Sequence, residues 1–159
     1  MLNINDIIPL DIEILDINKN KVNLRNYLGK YLVIYFYPKD ETPGCTTEAC
    51  EFRDYYDKMK KLGAEIIGIS KDNSNSHNSF KEKYNLNFTL LSDEDHKLQE
   101  AFGVWSEMSM YGKKYFGTER SSFLVNKEGK IIFVWPKVNP NGHAEDVYNK
   151  LIEAVNSKN

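Results

Sequence analysis

The apolar residues of this chain follow two patterns, unbroken runs and helical spacing. Residues Tyr31–Phe36 are apolar, aromatic or β-branched throughout, which predicts a strand buried on both faces. Across Ala49–Leu62, apolar residues return every three or four positions and predict an amphipathic helix that ends at Gly63. Either Thr46 or Thr47 is expected to cap the start of this helix.

Further segments repeat these patterns to the end of the chain. The additional strands are expected at Ile12–Leu15, Lys21–Val22, Ala64–Ile69, Phe88–Leu91, Ser122–Val125 and Lys130–Trp135, and the additional helices at Ser76–Tyr84, Asp95–Phe102 and Ala144–Val155. The first two strands flank Asn18–Asn20 and predict an N-terminal hairpin, since Asn tolerates left-handed turns. Strands that alternate with helices predict the α/β class, with a mixed central sheet and helices on both faces, as in the thioredoxin-like fold. No linker or repeat interrupts the sequence, so residues 1–159 are expected to form one domain.

Composition and charge exclude several classes of function. The 159 residues carry 21 lysines and arginines against 23 aspartates and glutamates, a net charge of −2, which offers no general attraction to nucleic acid or to an anionic membrane. The longest apolar run, residues 31–37, is far shorter than the roughly 20 residues that cross a bilayer. The N-terminus has neither a basic segment nor a long apolar one, so the protein is expected to be soluble and cytoplasmic.

The chain has two cysteines, Cys45 and Cys50, which are too few for a disulfide scaffold and too close to restrain the chain. Their role, if they have one, is therefore chemical. Cys45 lies between the predicted buried strand and the helix, where free backbone N–H groups and the helix dipole favour a thiolate. The alternative is a small apolar core residue. Pro38, Thr42 and Gly44 argue against that alternative, because a stiff, turn-rich segment is poor material for a plain buried connection.

The spacing around Cys45 has a counterpart in a known family. Pro38-x-x-x-Thr42-x-x-Cys45 resembles the active-site signature of peroxiredoxins, and Thr-Pro-Gly-Cys with Cys50 five residues on resembles their bacterioferritin-comigratory, or Q-type, subgroup. The likeness covers nearly the whole chain, including residues 72–79, 110–117 and 119–125. It implies a peroxidase that reduces hydrogen peroxide and organic hydroperoxides to water and alcohols, with no cofactor.

The resemblance also implies a role for each residue of this segment. Cys45 would be the peroxidatic nucleophile, whose thiolate attacks a peroxide oxygen and becomes a sulfenic acid. Thr42 would hydrogen-bond the thiolate and the peroxide through a hydroxyl that both donates and accepts, and Pro38 would shield the sulfur from water. The backbone N–H groups of Gly44 and Cys45 would stabilise charge on the peroxide oxygens. The alternatives are a threonine that caps a turn and a proline that only ends the strand.

Arginine is scarce, with Arg25, Arg53 and Arg120 the only three among 21 basic residues. Arg120, directly before an apolar strand, matches the family's arginine that stabilises the cysteine thiolate and contacts the peroxide. Arg53 is expected to be a solvated or paired residue of the helix face, and Arg25 a surface residue. Glu48 matches a family glutamate that supports the polar network of the site, although an acid in the first turn of a helix is favourable on dipole grounds alone.

The position of Cys50 raises a question of geometry. In an intact helix, residues five apart have Cα atoms about 8–9 Å apart, whereas a disulfide needs about 7 Å or less. If Cys50 is the resolving cysteine that the resemblance implies, the first turns of the helix must unwind before it reaches Cys45. The alternative is a buried helical residue. The resemblance also implies thioredoxin, or a similar dithiol, as the reductant.

The remaining polar residues predict no metal or cofactor site. The three histidines show no metal-ligand spacing, and no glycine-rich loop can cradle a phosphate. His143 is expected to cap the last helix or to pair with Glu145, and residues 93–95 to form a solvated turn and a helix N-terminus, not an acid/base pair. Residues 108–112 are expected to form an exposed apolar loop suited to transient self-association, so the protein is expected to be a monomer or a weak homodimer.

Two other functions stay open on the residues alone. A thiol–disulfide oxidoreductase would use the same cysteine pair, but Cys-x-x-Cys is its usual spacing, and Thr42 and Arg120 would have no task. A peroxide sensor or holdase would expose apolar surface when the helix unwinds. Turnover separates these functions, because a sensor consumes about one peroxide per chain and an enzyme consumes many.

Overall fold

A seven-stranded mixed sheet forms the centre of the fold. The computed structural model describes residues 1–157. Its strands are Ile14–Leu15 (β1), Lys21–Val22 (β2), Tyr31–Phe36 (β3), Ala64–Ser70 (β4), Thr89–Ser92 (β5), Trp105–Met110 (β6), Lys113–Thr118 (β7), Ser121–Val125 (β8) and Ile131–Trp135 (β9). Its helices are Pro43–Lys61 (α1), Ser74–Tyr84 (α2), Lys97–Phe102 (α3) and His143–Asn156 (α4), with a 3-10 turn at Leu24–Tyr27.

The strand order in the sheet is β2-β1-β5-β4-β3-β8-β9. Strands β3, β4 and β5 run parallel, and the outer strands join them in antiparallel fashion. One apolar core lies between the sheet and helices α1, α2 and α4, and a second lies on the opposite face against α3. The predicted mixed sheet with helices on both faces and an N-terminal hairpin is confirmed, which is the arrangement of a thioredoxin-like fold. Within residues 1–157, no helix combines the length and apolar character needed to cross a membrane.

The register of the sheet brings two distant parts of the chain together. Strands β3 and β8 pair antiparallel, so that Phe36 at the end of β3 lies opposite Ser121 at the start of β8. Arg120, directly before β8, is therefore beside the point where β3 ends. Helix α1 begins shortly after this end of β3, which is why Arg120 and Cys45 meet although they are 75 residues apart.

Helix α1 begins earlier than the sequence predicts. Its first residue is Pro43 and its N-cap is Thr42, so the expected cap at Thr46 or Thr47 is wrong. Proline suits the first helical position, because its φ is already helical and the N–H that it lacks has no partner there. The C-terminal end agrees with the prediction, since Gly63 follows the helix with a φ of 84°.

The hairpin of β6 and β7 is not predicted from the sequence. Its two-residue turn, Tyr111-Gly112, has positive φ at both positions, 53° and 79°, as tight hairpins require. Residues 108–112, expected to form a loop, belong to β6 and this turn. The expected exposure of apolar side chains is confirmed, since Tyr111 is 97% and Met110 56% exposed. The hairpin lies outside the main sheet, so it lacks the one buried face that produces alternation of polar and apolar residues.

Two polar residues are buried where the sequence predicts solvent or a surface pair. Asp93 is 2% exposed and accepts the backbone N–H groups of Leu98 and Gln99 at the start of α3. The expected helix N-terminus is therefore confirmed for Asp93, whereas its expected exposure to solvent is wrong. His143 is 4% exposed, and its Nε2 lies 2.7 Å from the Ser122 hydroxyl. The expected cap is not formed by its side chain, because the imidazole points into the core.

Candidate active site

The Cys45 sulfur lies in the first turn of α1. Cys45 is the third residue of the helix, is 1% exposed, and carries a free thiol. The backbone N–H groups of Gly44 and Cys45 are at positions that have no acceptor within a helix. The Thr42 side chain does not cap them, and its hydroxyl instead donates to the carbonyl of Lys39 at 2.8 Å. Both N–H groups are therefore left for a ligand, and the helix dipole adds to their positive potential.

Arg120 holds the thiol and a carboxylate at once. Its Nη2 donates to Cys45 Sγ at 3.2 Å and its Nη1 donates to Glu48 Oε1 at 2.6 Å. Burial by itself would lower the pKa of Arg120, but Glu48 and Cys45 outweigh burial and raise it. At an effective dielectric constant of about 20, a guanidinium and a thiolate at this separation attract each other by roughly 5 kcal/mol before desolvation is counted. Arg120 is therefore placed to stabilise negative charge on the Cys45 sulfur.

Glu48 is an unusual partner because it is almost completely buried. Its side chain is 1% exposed, and burial raises the pKa of the carboxyl to about 7 although Arg120 acts in the opposite direction. Its second oxygen, Oε2, has no hydrogen-bond partner among the described residues. Near neutral pH the carboxyl is therefore divided between a charged form that holds Arg120 and a neutral one. Because α1 begins at Pro43, Glu48 lies outside its first turn, so the expectation of a first-turn acid is wrong. Glu48 instead belongs to the polar cluster around Cys45 through its bond to Arg120.

Gly44 makes room for the guanidinium. A Cβ at this position would lie 3.3 Å from Arg120 Nη2 and 3.4 Å from Pro140 Cγ, both tight contacts. The segment that contains Pro140 is tied to the site at two points. The Val138 N–H donates to the carbonyl of Arg120 at 2.8 Å, and the Gly142 N–H donates to Glu51 Oε1 in α1 at 2.9 Å. Residues 138–142 therefore cover the start of α1, a contribution that no motif in the sequence indicates.

Pro38 and Thr42 lie on the loop between β3 and α1, and both are partly buried. The Thr42 hydroxyl uses its proton on Lys39, but its oxygen can still accept a hydrogen bond from a thiol or a peroxide. Together with Arg120, the structure thus brings the predicted residues to one end of α1.

Cys50 lies one and a half turns further along the same unbroken helix. It is partly buried and free. Residues five apart in a helix have Cα atoms about 8.7 Å apart, and disulfides need no more than about 6.8 Å. Both cysteines lie within the one helix Pro43–Lys61, so a Cys45–Cys50 bond requires α1 to unwind locally.

Arg53 is the residue that fixes the helix beyond Cys50. Its Nη1 donates to the carbonyl of Tyr84 at 2.7 Å and its Nε donates to Asp54 at 3.0 Å. The hydrogen bond to Asp54 is the main cause that raises the pKa of Arg53, and Cys50 adds to it. The expectation of a paired residue on the helix face is confirmed. The position of Arg53 beside Cys50 is not anticipated from the sequence. The two residues are three positions apart and share a helix face.

Three polar residues behind the site were missed by sequence reasoning. Tyr35 has a buried hydroxyl without a partner in the described part of the chain, and burial, Glu48 and Cys45 all raise its pKa. Asp40 and His77 pair at 2.7 Å although they are 37 residues apart. Asp40 lies inside the recognised Pro38-to-Thr42 spacing and His77 inside the 72–79 stretch. Their contact depends on the parallel register of β3 and β4, which sequence spacing does not reveal.

Comparison with known proteins places this site in context. The model of the AhpC/TSA family matches residues 4–134. The chain is 50% identical over 141 residues to peroxiredoxin Bcp of Bacillus subtilis, covering 89% of this chain and 90% of that protein. It is 47% identical over 138 residues to peroxiredoxin Bcp of Escherichia coli K12, covering 87% of this chain and 88% of that protein.

Two solved structures resemble the fold along almost its whole length. One is the bacterioferritin comigratory protein of Xanthomonas campestris, studied for its alkyl peroxide reduction activity, with a TM-score of 0.88, 40% identity, and coverage of 94% of this chain and 99% of that one. The other is a PrxQ variant from Xylella fastidiosa, with a TM-score of 0.91, 38% identity, and coverage of 96% and 97%. The thioredoxin-like fold expected from the sequence is therefore shared with these proteins.

Proposed function

This chain belongs to the AhpC/TSA family, as a peroxiredoxin of the Bcp and PrxQ kind, and on that premise we propose that Cys45 is its peroxidatic residue. The enzyme is a thiol peroxidase. The observation that carries the assignment of Cys45 is the Arg120 fork, which joins the buried sulfur to Glu48 at a helix start with two free N–H groups. Cys50 lies further along α1, away from the helix start and the Arg120–Glu48 pair, and we assign it the resolving role.

In the first step, the Cys45 thiolate attacks the terminal oxygen of a hydroperoxide. A sulfur–oxygen bond forms, the oxygen–oxygen bond breaks, and the alkoxide or hydroxide that leaves takes up a proton to become alcohol or water. Arg120 and the N–H groups of Gly44 and Cys45 stabilise the negative charge as it moves from sulfur to the leaving oxygen. The Thr42 hydroxyl oxygen accepts a hydrogen bond from the hydroperoxide O–H and so orients the oxygen–oxygen bond, and Pro38 limits the access of water. Hydrogen peroxide and alkyl hydroperoxides are the proposed substrates.

In the second step, Cys50 attacks the sulfur of the Cys45 sulfenic acid. A disulfide forms, the sulfur–oxygen bond breaks, and water leaves. The first turns of α1 must unwind for the two sulfurs to meet, as the helix geometry requires. A dithiol of the thioredoxin class then reduces the disulfide by exchange. The proposed setting is the cytoplasm, with the enzyme working as a monomer or a weak homodimer.

The other functions considered for the cysteine pair are not favoured. A thiol–disulfide oxidoreductase would leave the Arg120–Glu48 ion pair beside Cys45 without a task, and the Bcp and PrxQ relatives are peroxiredoxins. No contact in the described residues points specifically to a sensor or holdase.

Peroxide consumption with thioredoxin, thioredoxin reductase and NADPH tests the proposal. Wild type is expected to turn over many times, Cys45→Ser to be inactive, and Cys50→Ser to complete one turnover and leave a sulfenic acid that a dimedone probe traps. Sustained activity in Cys45→Ser would overturn the assignment of the nucleophile. Full steady-state turnover in Cys50→Ser would remove the resolving role and leave a one-cysteine mechanism.

A further inference from the structure

A buried hydrogen-bond network centred on Asp40 lies behind the loop that leads into α1. The Asp40 side chain accepts from the Tyr37 hydroxyl at 2.6 Å, from the Ser76 hydroxyl at 2.7 Å and from His77 Nδ1 at 2.7 Å. Asp40 is 6% exposed and His77 is not exposed at all. A carboxylate removed from water to this degree is costly unless it is paired, and here three donors meet its two oxygens.

The protons of His77 follow from its partners. Its Nε2 lies 3.0 Å from the carbonyl of Leu91, which can only accept, so Nε2 carries a proton. The other ring nitrogen, Nδ1, lies 2.7 Å from Asp40 Oδ2. His77 is thus fixed at both ring nitrogens and gives Asp40 one orientation.

The Asp40 backbone is held as firmly as its side chain. Its N–H donates to Asp72 Oδ2 at 2.8 Å, and the same oxygen accepts the Ser70 hydroxyl at 2.7 Å. One carboxylate oxygen each of Asp40 and Asp72 and one ring nitrogen of His77 lie within 4.8 Å of one another. Each of these three side chains forms hydrogen bonds with other groups of the protein. The chain then turns at Glu41, whose φ is 62°, before it reaches Thr42. This conformation is uncommon for a non-glycine residue and persists when the surroundings enforce it.

We propose that Asp40, oriented by His77, is a positioning residue that fixes the loop of Pro38 to Thr42 against the end of β4 and the start of α2. Through this loop it sets the position of Thr42 and of the free N–H groups at the start of α1 relative to the Cys45 sulfur. It also limits unwinding of α1 on its upstream side, so that Thr42 stays in place while Cys45 moves toward Cys50. The inference rests on the proposed role of Cys45.

The position of Asp40 in the chain makes this coupling direct. Asp40 is two residues before Thr42 and five before Cys45, and the Thr42 hydroxyl donates to the carbonyl of Lys39, the residue next to Asp40. A shift of Asp40 therefore moves the Thr42 hydroxyl. Reactions that depend on aligned groups are sensitive to displacements of about 1 Å, which can reduce rates about 100-fold.

A matched pair of substitutions at His77 separates positioning from packing. The amide nitrogen of Asn lies where Nδ1 lies, so His77→Asn keeps the donor to Asp40, whereas His77→Gln places its nitrogen near Nε2 and keeps only the bond to Leu91. The measured quantity is the ratio of two rate constants of reduced Cys45, one with cumene hydroperoxide and one with iodoacetamide. Alkylation depends on the thiolate and its exposure, while the peroxide reaction depends in addition on Thr42 and the N–H groups.

We expect His77→Gln to lower this ratio by about tenfold and His77→Asn to leave it within about threefold of wild type. Equal ratios for the two variants, whether both normal or both reduced, would overturn the positioning role. If His77→Gln does not fold, Tyr37→Phe removes one donor to Asp40 with little change of shape, and an unchanged ratio there would have the same meaning. A wild type that is alkylated but does not react with peroxide would instead refute the function proposed for Cys45.

Discussion

Burial shifts the pKa values of two groups near the active site in opposite directions. Their effects on the free energy of unfolding should therefore cancel over a defined range of pH. Burial raises the pKa of Glu48 from 4.5 to about 7. Burial lowers the pKa of His143 from 6.5 to about 4. Both side chains are almost inaccessible to solvent, so both shifts apply to groups that solvent does not screen.

For Glu48, the folded protein holds a proton that the unfolded chain loses between about pH 4.5 and pH 7. The contribution of Glu48 to the free energy of unfolding therefore falls as pH rises through this range and is constant above it. Each pKa unit corresponds to about 1.4 kcal/mol, so the complete loss is roughly 3 kcal/mol.

For His143, the unfolded chain holds a proton that the folded protein has already lost. Its contribution to stability is complete above pH 6.5 and disappears as pH falls toward about 4. The magnitude is again roughly 3 kcal/mol, with the opposite sign. Between about pH 4.5 and 6.5 the two contributions offset each other, so neither is visible in the wild type.

Removing either group should reveal the other. We expect the stability of Glu48→Gln to rise relative to wild type by roughly 3 kcal/mol between pH 4.5 and 7.5, and that of His143→Gln to fall by a similar amount between pH 4 and 6.5. Urea unfolding of the reduced proteins, followed by far-UV circular dichroism at half-unit pH intervals, gives each difference. Using differences removes the contributions of all groups that the three proteins share.

The slope with pH, and not the absolute stability, tests the reasoning. Each substitution also changes local contacts, since Glu48→Gln alters the bond to Arg120 and His143→Gln the bond to Ser122, but such changes shift a curve without giving it this slope. Stability differences that stay constant from pH 4 to 7.5 would refute the claim that burial controls the protonation of the Glu48 carboxyl and of the His143 imidazole.

Two further predictions concern the start of α1. Gly44→Ala places a methyl group 3.3 Å from Arg120 Nη2, so the rate constant with peroxide, measured by stopped-flow kinetics, should fall several-fold. The free energy of unfolding, measured by thermal unfolding, should change by less than about 1 kcal/mol, because alanine favours a helix. Amide hydrogen exchange across residues 45–55 should be faster in the Cys45–Cys50 disulfide form than in the reduced form, because the disulfide cannot form within an intact helix.

Each of these predictions has a clear opposite outcome. An unchanged peroxide rate in Gly44→Ala would show that the close approach of Arg120 has no role in reactivity. Equal protection of residues 45–55 in the two redox forms would contradict local unwinding.

The sequence predicts what depends on neighbours along the chain. The run that forms β3 and the spacing that forms α1 each face a core, so burial leaves a readable pattern. The rarity of arginine and its place before β8 single out Arg120, and the motif singles out Cys45. The sequence places the start of α1 too late because periodicity begins only where side chains reach the core, whereas Pro43 and Gly44 belong to the helix without facing the core.

Contacts across the sheet could not be read in the same way. Asp40 and His77 look like ordinary polar residues of a loop and a helix, and only the parallel pairing of β3 with β4 places them together. The same holds for residues 138–142, which cover the start of α1. Their position depends on where β9 ends, at Trp135. Exposed hairpins such as β6–β7 leave no pattern at all, because neither of their faces must be apolar.

The arrangement around Cys45 reconciles two demands that conflict in the proposed cycle. Activation needs the sulfur held tightly against Arg120, whereas resolution needs the same turn to open. The attraction between Arg120 and the sulfur depends on charge, so it is strong for the thiolate and largely lost when the sulfur becomes a neutral sulfenic acid. Oxidation therefore removes the contact that resists unwinding, while Glu48 keeps Arg120 in place for the next cycle. The helix is released by the reaction that makes its release necessary.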